Sequence, residues 1–183
     1  MRVITGTARG VPLQTLPGED VIRPTSQRVK EALFSAIQFE VAGRRVLDAF
    51  AGCGQLGIEA LSRGAQSCLF LDQDAKALQM VQKNLERTKF THLAQLLPVE
   101  ALQFLRRAGE NFDLIFLDPP YKQQLLQAAI PLAAQRLAPG GLLVCEAPAK
   151  DTLPDQCEGA LLRKTYHHGK TKLCVYAKGL PAE

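Results

Sequence analysis

A short motif, LDPPY at residues 117–121, places a carboxylate, two prolines and an aromatic ring directly after the apolar run FDLIF. Pro119 and Pro120 stiffen the chain and donate no backbone N–H, so the carbonyl groups around them are left to accept hydrogen bonds. The Asp118 carboxylate and the Pro119 carbonyl are suitable acceptors for the exocyclic NH2 of a purine, and Tyr121 offers a flat face for stacking an extruded base. A rigid turn between a strand and a helix is the alternative interpretation.

A second motif is the glycine-rich stretch DAFAGCGQLG at residues 48–57, which contains a GxGxxG pattern between a predicted strand and a predicted helix. Glycines at such a turn let the backbone approach a ligand closely at a helix N-terminus. Asp72 follows Gly52 by about 20 residues and ends the next predicted strand, where a carboxylate can accept hydrogen bonds from ribose hydroxyls. The pattern alone fits a nicotinamide dinucleotide, another nucleoside cofactor or a purely structural turn.

Asp48 separates the possible cofactors, because its carboxylate lies inside the turn sequence and would repel the phosphates of a dinucleotide. A cationic ligand is favoured there. S-adenosylmethionine carries an amino group and a sulfonium, has no phosphate and still presents a ribose for Asp72. Glu100, after the third predicted strand, lies where an adenine could be recognised by a side chain or by the backbone. The alternative for Glu100 is an acidic residue in the first turn of a helix, stabilised by the helix dipole.

The elements that must position these motifs form a regular alternation. Continuous apolar runs, each except the last followed by a helical stretch, predict a parallel sheet covered by helices on both faces. In such sheets ligands bind beyond the carboxyl ends of the strands, where both motifs lie. Beyond Pro154, two strand patterns separated by Gly169 predict an antiparallel hairpin at one edge of the sheet. The five apolar runs are residues 45–50, 67–72, 94–99, 112–118 and 141–147.

A helix is predicted after IRPTSQ, with Thr25 or Ser26 as its N-cap. One face of this helix is apolar, and the other carries Arg28, Lys30 and Glu31. The chain has a net charge of +4, and several of its basic residues fall within the first 45. This distribution is compatible with an anionic partner and equally with a solvated face. The apolar face consists of Val29, Ala32, Leu33, Ala36 and Ile37.

Composition indicates a single domain, since 183 residues with 46% hydrophobic content bury a substantial core without a break. No apolar run approaches the roughly 18 to 20 residues that cross a bilayer, and the N-terminus lacks a secretion signal, so we expect a cytoplasmic protein without a membrane partner. The five cysteines are odd in number and lack zinc-ligand spacing. They are therefore interpreted as small buried residues, and no metal is expected.

Three stretches of the chain together resemble the RsmD-like family of bacterial 16S rRNA guanine-N2 methyltransferases. They are RPTSQRVKEALF, DAFAGCGQLGIEALSRGA and LDPPY, and the resemblance covers nearly the whole chain. It implies a class I SAM-dependent methyltransferase fold, which is Rossmann-like α/β, with a mostly parallel seven-stranded sheet, a C-terminal antiparallel hairpin and a short N-terminal extension. Within one methyltransferase domain, residues 1–43 would form the extension and helix that contact RNA, and residues 44–183 the SAM-binding catalytic core.

The resemblance also implies an activity and a set of site residues. The reaction would be direct in-line methylation of the N2 amine of a guanine in 16S rRNA, at position 966. The substrate would be ribosomal RNA, free or already assembled into a small-subunit particle. Asp118, Pro119, Pro120 and Tyr121 would act on the amine, and Arg9, Arg23, Thr25, Arg28 and Lys30 would contact the RNA. The residues implied for S-adenosyl-L-methionine are Asp48, Ala51, Gly52, Gly54, Asp72, Glu100, Ala101 and Asp118.

Several positions depart from the family's pattern. Cys53 replaces a usual serine or threonine, Gln55 a small residue, Asp72 a frequent glutamate and Glu100 an aspartate or asparagine. Three other functions stay open: an adenine-N6 methyltransferase acting on DNA or RNA with the same DPPY chemistry, a nicotinamide-dependent oxidoreductase, and a non-catalytic RNA-binding module. The module would have no need of DPPY, and the segment RPTSQRVKEALF favours the guanine-N2 enzyme over the adenine-N6 one.

Overall fold

The computed structural model describes residues 1–15, 26–119 and 123–179. None of the helices in these ranges is long and apolar enough to cross a membrane. The strands are β1 (Arg45–Asp48), β2 (Ser67–Asp72), β3 (Ala94–Pro98), β4 (Phe112–Leu117), β5 (Leu137–Pro148), β6 (Gln156–Cys157), β7 (Ala160–His168) and β8 (Thr171–Lys178). The helices are α1 (Ser26–Ala36), α2 (Gln55–Ser62), α3 (Ala75–Thr88), α4 (Ala101–Arg106), α5 (Gln123–Gln135) and a 3-10 turn (Thr91–Leu93).

These strands form one sheet in the order β3-β2-β1-β4-β5-β8-β7-β6. The first five are parallel, and β8 then pairs antiparallel with β5, as do β7 with β8 and β6 with β7. The mostly parallel α/β sheet and its C-terminal hairpin are confirmed. The expected number of seven strands was wrong for the described residues, because the chain turns at Glu158 and Gly159, both with positive φ, and pairs Gln156 and Cys157 with the start of β7.

Two apolar cores cover the sheet, one on each face. Strand β4 shows how the alternation works, because Leu114 and Phe116 belong to one core and Ile115 and Leu117 to the other. Helices α1, α2 and α3 contribute to the first core, and α4 and α5 to the second. Continuous apolar runs are therefore buried on both faces, as the parallel arrangement requires.

The cysteines are small buried residues for the most part, as their composition suggested. All five are free thiols, and four of them are buried, with Cys157 half-buried. Burial raises the pKa of the Cys68 and Cys145 thiols well above the ordinary value. Neither thiol is activated as a nucleophile, because the thiolate is the reactive form.

The N-terminal segment is held on helix α2 by one buried carboxylate. Glu59 is fully buried and accepts hydrogen bonds from the backbone N–H groups of Ile4 (2.8 Å) and Thr5 (3.0 Å). The same carboxylate pairs with Arg63 at 2.9 Å and with Lys30 of α1 at 3.3 Å. Residues 1–15, α1 and α2 therefore meet at a single charged centre.

The prediction that Lys30 contacts RNA is wrong. Its side chain is 1% exposed, and its ammonium group donates to the Arg2 carbonyl at 2.9 Å besides pairing with Glu59. Burial lowers its pKa, although the Glu59 carboxylate opposes that shift. Lys30 therefore stabilises the N-terminal segment and is not available to RNA phosphates. Arg28 and Glu31, on the same helix, are exposed as predicted.

We predict that Glu59→Ala destabilises the fold strongly. The substitution leaves Lys30 as an unpaired buried charge and two backbone N–H groups without their acceptor, and losses of this kind typically reach about 3 to 5 kcal/mol. Urea unfolding followed by circular dichroism measures the change. Glu31→Ala, an exposed change on α1, is the control and should stay within about 0.5 kcal/mol of the parent. Similar losses in both variants would mean that Glu59 does not hold the segment.

Candidate active site

The two sequence motifs meet at one edge of the sheet. Strand β1 lies between β2 and β4, and Asp48 at its end pairs in register with Phe70 of β2 and Phe116 of β4. The carboxyl ends of the three strands are therefore adjacent, and Asp118 and Asp72 both act electrostatically on Asp48. This arrangement brings the glycine loop and the start of the LDPPY motif together, as the parallel sheet predicted.

The glycine loop turns sharply between β1 and α2. Gly52 and Gly54 adopt positive φ values of 53° and 80°, which side chains rarely tolerate. The Ala51 N–H donates to the Leu71 carbonyl at 2.9 Å, which ties the loop to the end of β2. A Cβ at Gly54 would approach Val81 of α3 to 3.1 Å, so both the conformation and the space favour glycine there.

Asp72 accepts hydrogen bonds both from the glycine loop and from the residue before α3. One of its carboxylate oxygens accepts the Gly52 N–H at 3.0 Å, and the other accepts the Asp74 N–H at 2.9 Å. Asp74 in turn caps helix α3 by accepting the Lys76 N–H at 2.8 Å. A carboxylate has about four acceptor sites, so these two bonds leave Asp72 able to accept from ribose hydroxyls. The ribose contact stays a prediction.

Asp48 is buried beneath the loop, with 1% of its surface exposed, and accepts the Gly57 N–H at 3.0 Å. Burial raises the pKa of its carboxyl to about 7, and the negative charges of Asp118 and Asp72 add to the increase. The carboxyl groups of Asp118 and Asp72 therefore lie near enough to Asp48 to disfavour its negative charge. A cationic ligand would relieve their mutual repulsion, whereas a polyphosphate would increase it.

Glu100 caps helix α4 with both carboxylate oxygens, which accept the N–H groups of Leu102 (3.0 Å) and Gln103 (2.8 Å). The structure thus realises the helix-stabilising alternative for this residue. Ala101, the first residue of α4, is buried. A further contact from Glu100 or its backbone to adenine stays a prediction.

Asn84 was missed by sequence reasoning, because asparagine within a helix gives no signal for a site. It is fully buried on α3 and donates through its amide nitrogen to the Cys53 carbonyl of the glycine loop at 2.9 Å. The same side chain donates to the Gln14 carbonyl (2.9 Å) and accepts the Gln14 N–H (2.8 Å). Asn84 therefore links the glycine loop to the N-terminal segment.

Of the remaining predicted site residues, four lie in the part of the chain that the structure describes and four lie outside it. Asp118 is half-buried and Pro119 buried at the end of β4, while Arg9 and Arg28 are exposed on the N-terminal segment and on α1. Among the described residues, no group of three or more His, Cys, Asp or Glu side chains could hold a metal ion. The predicted residues Pro120, Tyr121, Arg23 and Thr25 lie outside the described residues.

Fold and site together define a methyltransferase of class I. The family model described as Conserved hypothetical protein 95 matches residues 1–177, and the chain belongs to this family, the RsmD-like methyltransferases. The chain is 40% identical over 183 residues to the "Putative rRNA methyltransferase YlbH" of Bacillus subtilis, covering 97% of this chain and 99% of the relative.

Two further relatives come from Escherichia coli. The "Ribosomal RNA small subunit methyltransferase D" of strain K12 is 35% identical over 158 residues, covering 84% of this chain and 78% of the relative. The solved structure of the "Putative methyltransferase yhhF" superposes with a TM-score of 0.84 at 31% identity and covers 98% of both chains. Similarity therefore extends over the sheet, the helices and the N-terminal segment alike.

We predict that Asp72→Ala weakens binding of S-adenosylhomocysteine by about ten- to a hundredfold, measured by calorimetry. The Gly52 N–H and the ligand's ribose would lose a shared acceptor, and unpaired groups of this kind cost about 1 to 3 kcal/mol. Asp74→Ala is the matched control, since it removes the α3 cap, destabilises by about 1 kcal/mol and leaves the affinity unchanged. Unaltered binding by the Asp72 variant would remove that residue from the site.

We also predict that Asp48 gives folding stability a particular pH dependence. Because its pKa is raised from 3.8 to about 7, the folded protein retains a proton that the unfolded chain has released between these values. Its contribution to stability is therefore greatest at low pH, falls as pH rises through this window and is constant above about 7. Asp48→Asn removes this slope while keeping an acceptor for Gly57. Denaturant unfolding between about pH 5 and 8 measures it.

The exposed substitution Asp74→Asn serves as the control, because asparagine also caps helices and Asp74 is not buried. It should retain the pH dependence of the parent. A pH dependence that is the same in Asp48→Asn and in the parent would show that the Asp48 carboxyl does not titrate differently in the folded and unfolded chains.

Proposed function

We propose that the chain uses S-adenosylmethionine to methylate the exocyclic N2 amine of a guanine in small-subunit ribosomal RNA, the guanine at position 966. The observation that carries the proposal is the position of Asp118 and Pro119, which follow β4 directly beside the glycine loop. This neighbourhood brings the acceptors for an amine within reach of a donor pocket. The printed name of the Escherichia coli relative supports ribosomal RNA as the substrate.

The residues around the glycine loop fit S-adenosylmethionine. The positive-φ glycines expose backbone for a close approach, Asp72 keeps acceptor sites for the ribose, and the buried Asp48 favours positive charge. When bound, the cofactor supplies a methyl group on a sulfonium, an electrophile that needs no further activation. We assign its binding to Asp48, Ala51, Gly52, Gly54, Asp72, Glu100, Ala101 and Asp118.

A guanine amine is a poor nucleophile, because its lone pair is delocalised into the ring. Asp118 and Pro119 compensate for this as hydrogen-bond acceptors. Hydrogen bonds from the NH2 group to the Asp118 carboxylate and the Pro119 carbonyl favour a pyramidal nitrogen with its lone pair directed at the methyl group. Pro120 stiffens the loop, and Tyr121 stacks the extruded base. The cofactor would leave as a neutral thioether once the nitrogen takes its methyl group, and the proton that the nitrogen releases would pass to the Asp118 carboxylate, which already accepts a hydrogen bond from the amine. Positioning of this kind is worth roughly 7 to 11 kcal/mol at best.

The N-terminal extension is the proposed RNA contact on one side of the site. Arg9 and Arg28 are exposed there, and Asn84 fixes Gln14 shortly before the segment that contains Arg23 and Thr25. We propose phosphate contacts for the three arginines and a place beside the target base for Thr25. The substrate is the RNA itself or the assembling small-subunit particle, and the enzyme acts in the cytoplasm, where these are made.

The test is RNA in which the target guanosine is replaced by inosine, which keeps the ring and O6 but lacks the 2-amino group. We predict that incorporation of labelled methyl at that site vanishes, while the guanosine RNA yields N2-methylguanosine by nucleoside mass spectrometry. Naked small-subunit RNA and particles are tested in parallel. Methylation of the inosine site would exclude the N2 assignment, and label found on adenosine would establish the adenine-N6 alternative.

The same assay applied to Asp118→Ala separates chemistry from binding. Methyl transfer should collapse because the amine loses its side-chain acceptor, whereas S-adenosylhomocysteine binding should weaken only modestly in calorimetry, because the other residues assigned to the cofactor are unchanged. The inosine experiment tests the atom that is methylated, and this variant tests the residue that orients it. Full activity in Asp118→Ala would contradict the role assigned to the LDPPY motif.

A further inference from the structure

We propose that the turn between β7 and β8, together with the loop after β5, forms a second RNA-binding surface, distinct from the N-terminal extension. We call it the cationic tip and define it by three exposed residues, Lys150, His167 and Lys170. The proposal rests on ribosomal RNA being the substrate. The ligand it assigns to the tip is the RNA phosphate backbone.

The β7–β8 hairpin is rich in positive charge. Residues 160–178 contain five Lys or Arg residues and no Asp or Glu. The whole chain has 22 basic and 18 acidic residues, so the rest of it carries 17 basic against 18 acidic residues. The β7–β8 hairpin therefore has an excess of five basic residues, while the rest of the chain, taken together, is close to neutral. A local excess of this kind is the electrostatic footprint of a polyanion-binding surface.

Sheet register places the cationic tip at the same edge as the candidate active site. Leu117, which precedes Asp118, pairs with Cys145 of β5, whereas Thr171 at the start of β8 pairs with Pro148, three residues further along β5. The tip thus extends about 7 Å beyond the level of Asp118, at roughly 3.3 Å per residue. It lies two strand spacings, or about 10 Å, to the side of β4. An RNA strand that delivers a base to Asp118 passes within reach.

The tip is held in place by its own backbone, which favours a preformed surface. The Ala149 N–H donates to the Lys170 carbonyl at 2.8 Å, and Lys172 donates through its ammonium group to the Asp151 carbonyl. Gly169 permits the tight turn with a φ of 59°. The loop after β5 and the hairpin turn are therefore joined, so Lys150 and Lys170 are presented by one rigid unit.

Other basic residues of the hairpin are engaged within the protein. Arg163 pairs with Glu40 after α1, Lys178 donates to the Ala134 carbonyl at 3.0 Å, and Lys164 lies over the Tyr166 ring at 5.1 Å. Lys150 and Lys170 differ from these residues in position, because they lie at the turn and loop beyond the carboxyl end of β5. The Arg163–Glu40 pair also attaches the hairpin to the end of α1, and the Lys30–Glu59 pair attaches α1 to α2.

The experiment reverses charge at the tip and at a matched distant position. Lys170→Glu and Lys150→Glu are compared with Lys89→Glu, an exposed residue at the end of α3 on the opposite edge of the sheet. Binding of small-subunit RNA is measured across a salt series, together with calorimetry for S-adenosylhomocysteine. We expect tenfold or greater weakening for the tip variants at low salt and a salt slope reduced by about 0.7 to 0.9 per lost phosphate contact. The control changes little.

Three outcomes decide the matter. Weakening confined to the tip variants, with donor binding and the identity of the methylated nucleoside unchanged, supports the surface. Equal weakening in Lys89→Glu would show only a long-range effect of net charge and would overturn it, as would unaltered RNA binding in both tip variants. If the parent protein methylates another atom, the proposed function fails while the tip is still judged by RNA affinity.

Discussion

The hydrogen bond that Gly57 donates to the buried Asp48 carboxylate fixes helix α2 against β1, and the candidate active site depends on that position. A Cβ at residue 57 would lie 2.3 Å from the Phe70 ring, so the helix can pack this closely on β2 only because the residue is glycine. With α2 held there, the glycine loop must turn within a few residues. The left-handed conformations of Gly52 and Gly54 follow from that constraint.

The same helix also positions the N-terminal extension. Ser62 accepts the Ala8 N–H at 3.0 Å, and a Cβ at Gly6 would come within 1.7 Å of the Ser62 carbonyl, so the extension lies directly on the helix backbone. Glu59 and Lys30 add a buried ion pair, whose desolvation offsets much of its attraction. Such a pair contributes specificity, because any shift of the extension would leave a buried charge unpaired. The glycine loop and the extension are therefore both held in place by helix α2.

Sequence patterns predicted those features of the fold that depend on residues close together in the chain. Continuous apolar runs predicted the parallel sheet, and the spacing of glycines and Asp72 predicted where the loop would lie. Two buried polar residues were beyond such reasoning: Lys30 is held by Glu59, far along the chain, and Asn84 joins two distant backbone segments. Strand β6 is only two residues long, too short for alternation to be detected. The spacing of apolar residues shows which face of a single helix or strand is buried. Lys30, Asn84 and β6 depend instead on contacts between different elements.

The distribution of charge constrains how RNA can approach. The carboxyl groups of Asp72 and Asp118 lie beside Asp48 at the end of the sheet, and at separations below the Debye length of about 8 to 10 Å negative charges repel phosphates. An uncharged base can enter this pocket, while its backbone must stay outside. Arg28 on α1 and Lys170 on the hairpin turn are exposed cations outside this acidic centre. Under the proposed function, the acidic centre would accept a base and the positively charged cofactor, and the exposed cations would hold the RNA strand, so the two requirements would not compete for the same surface.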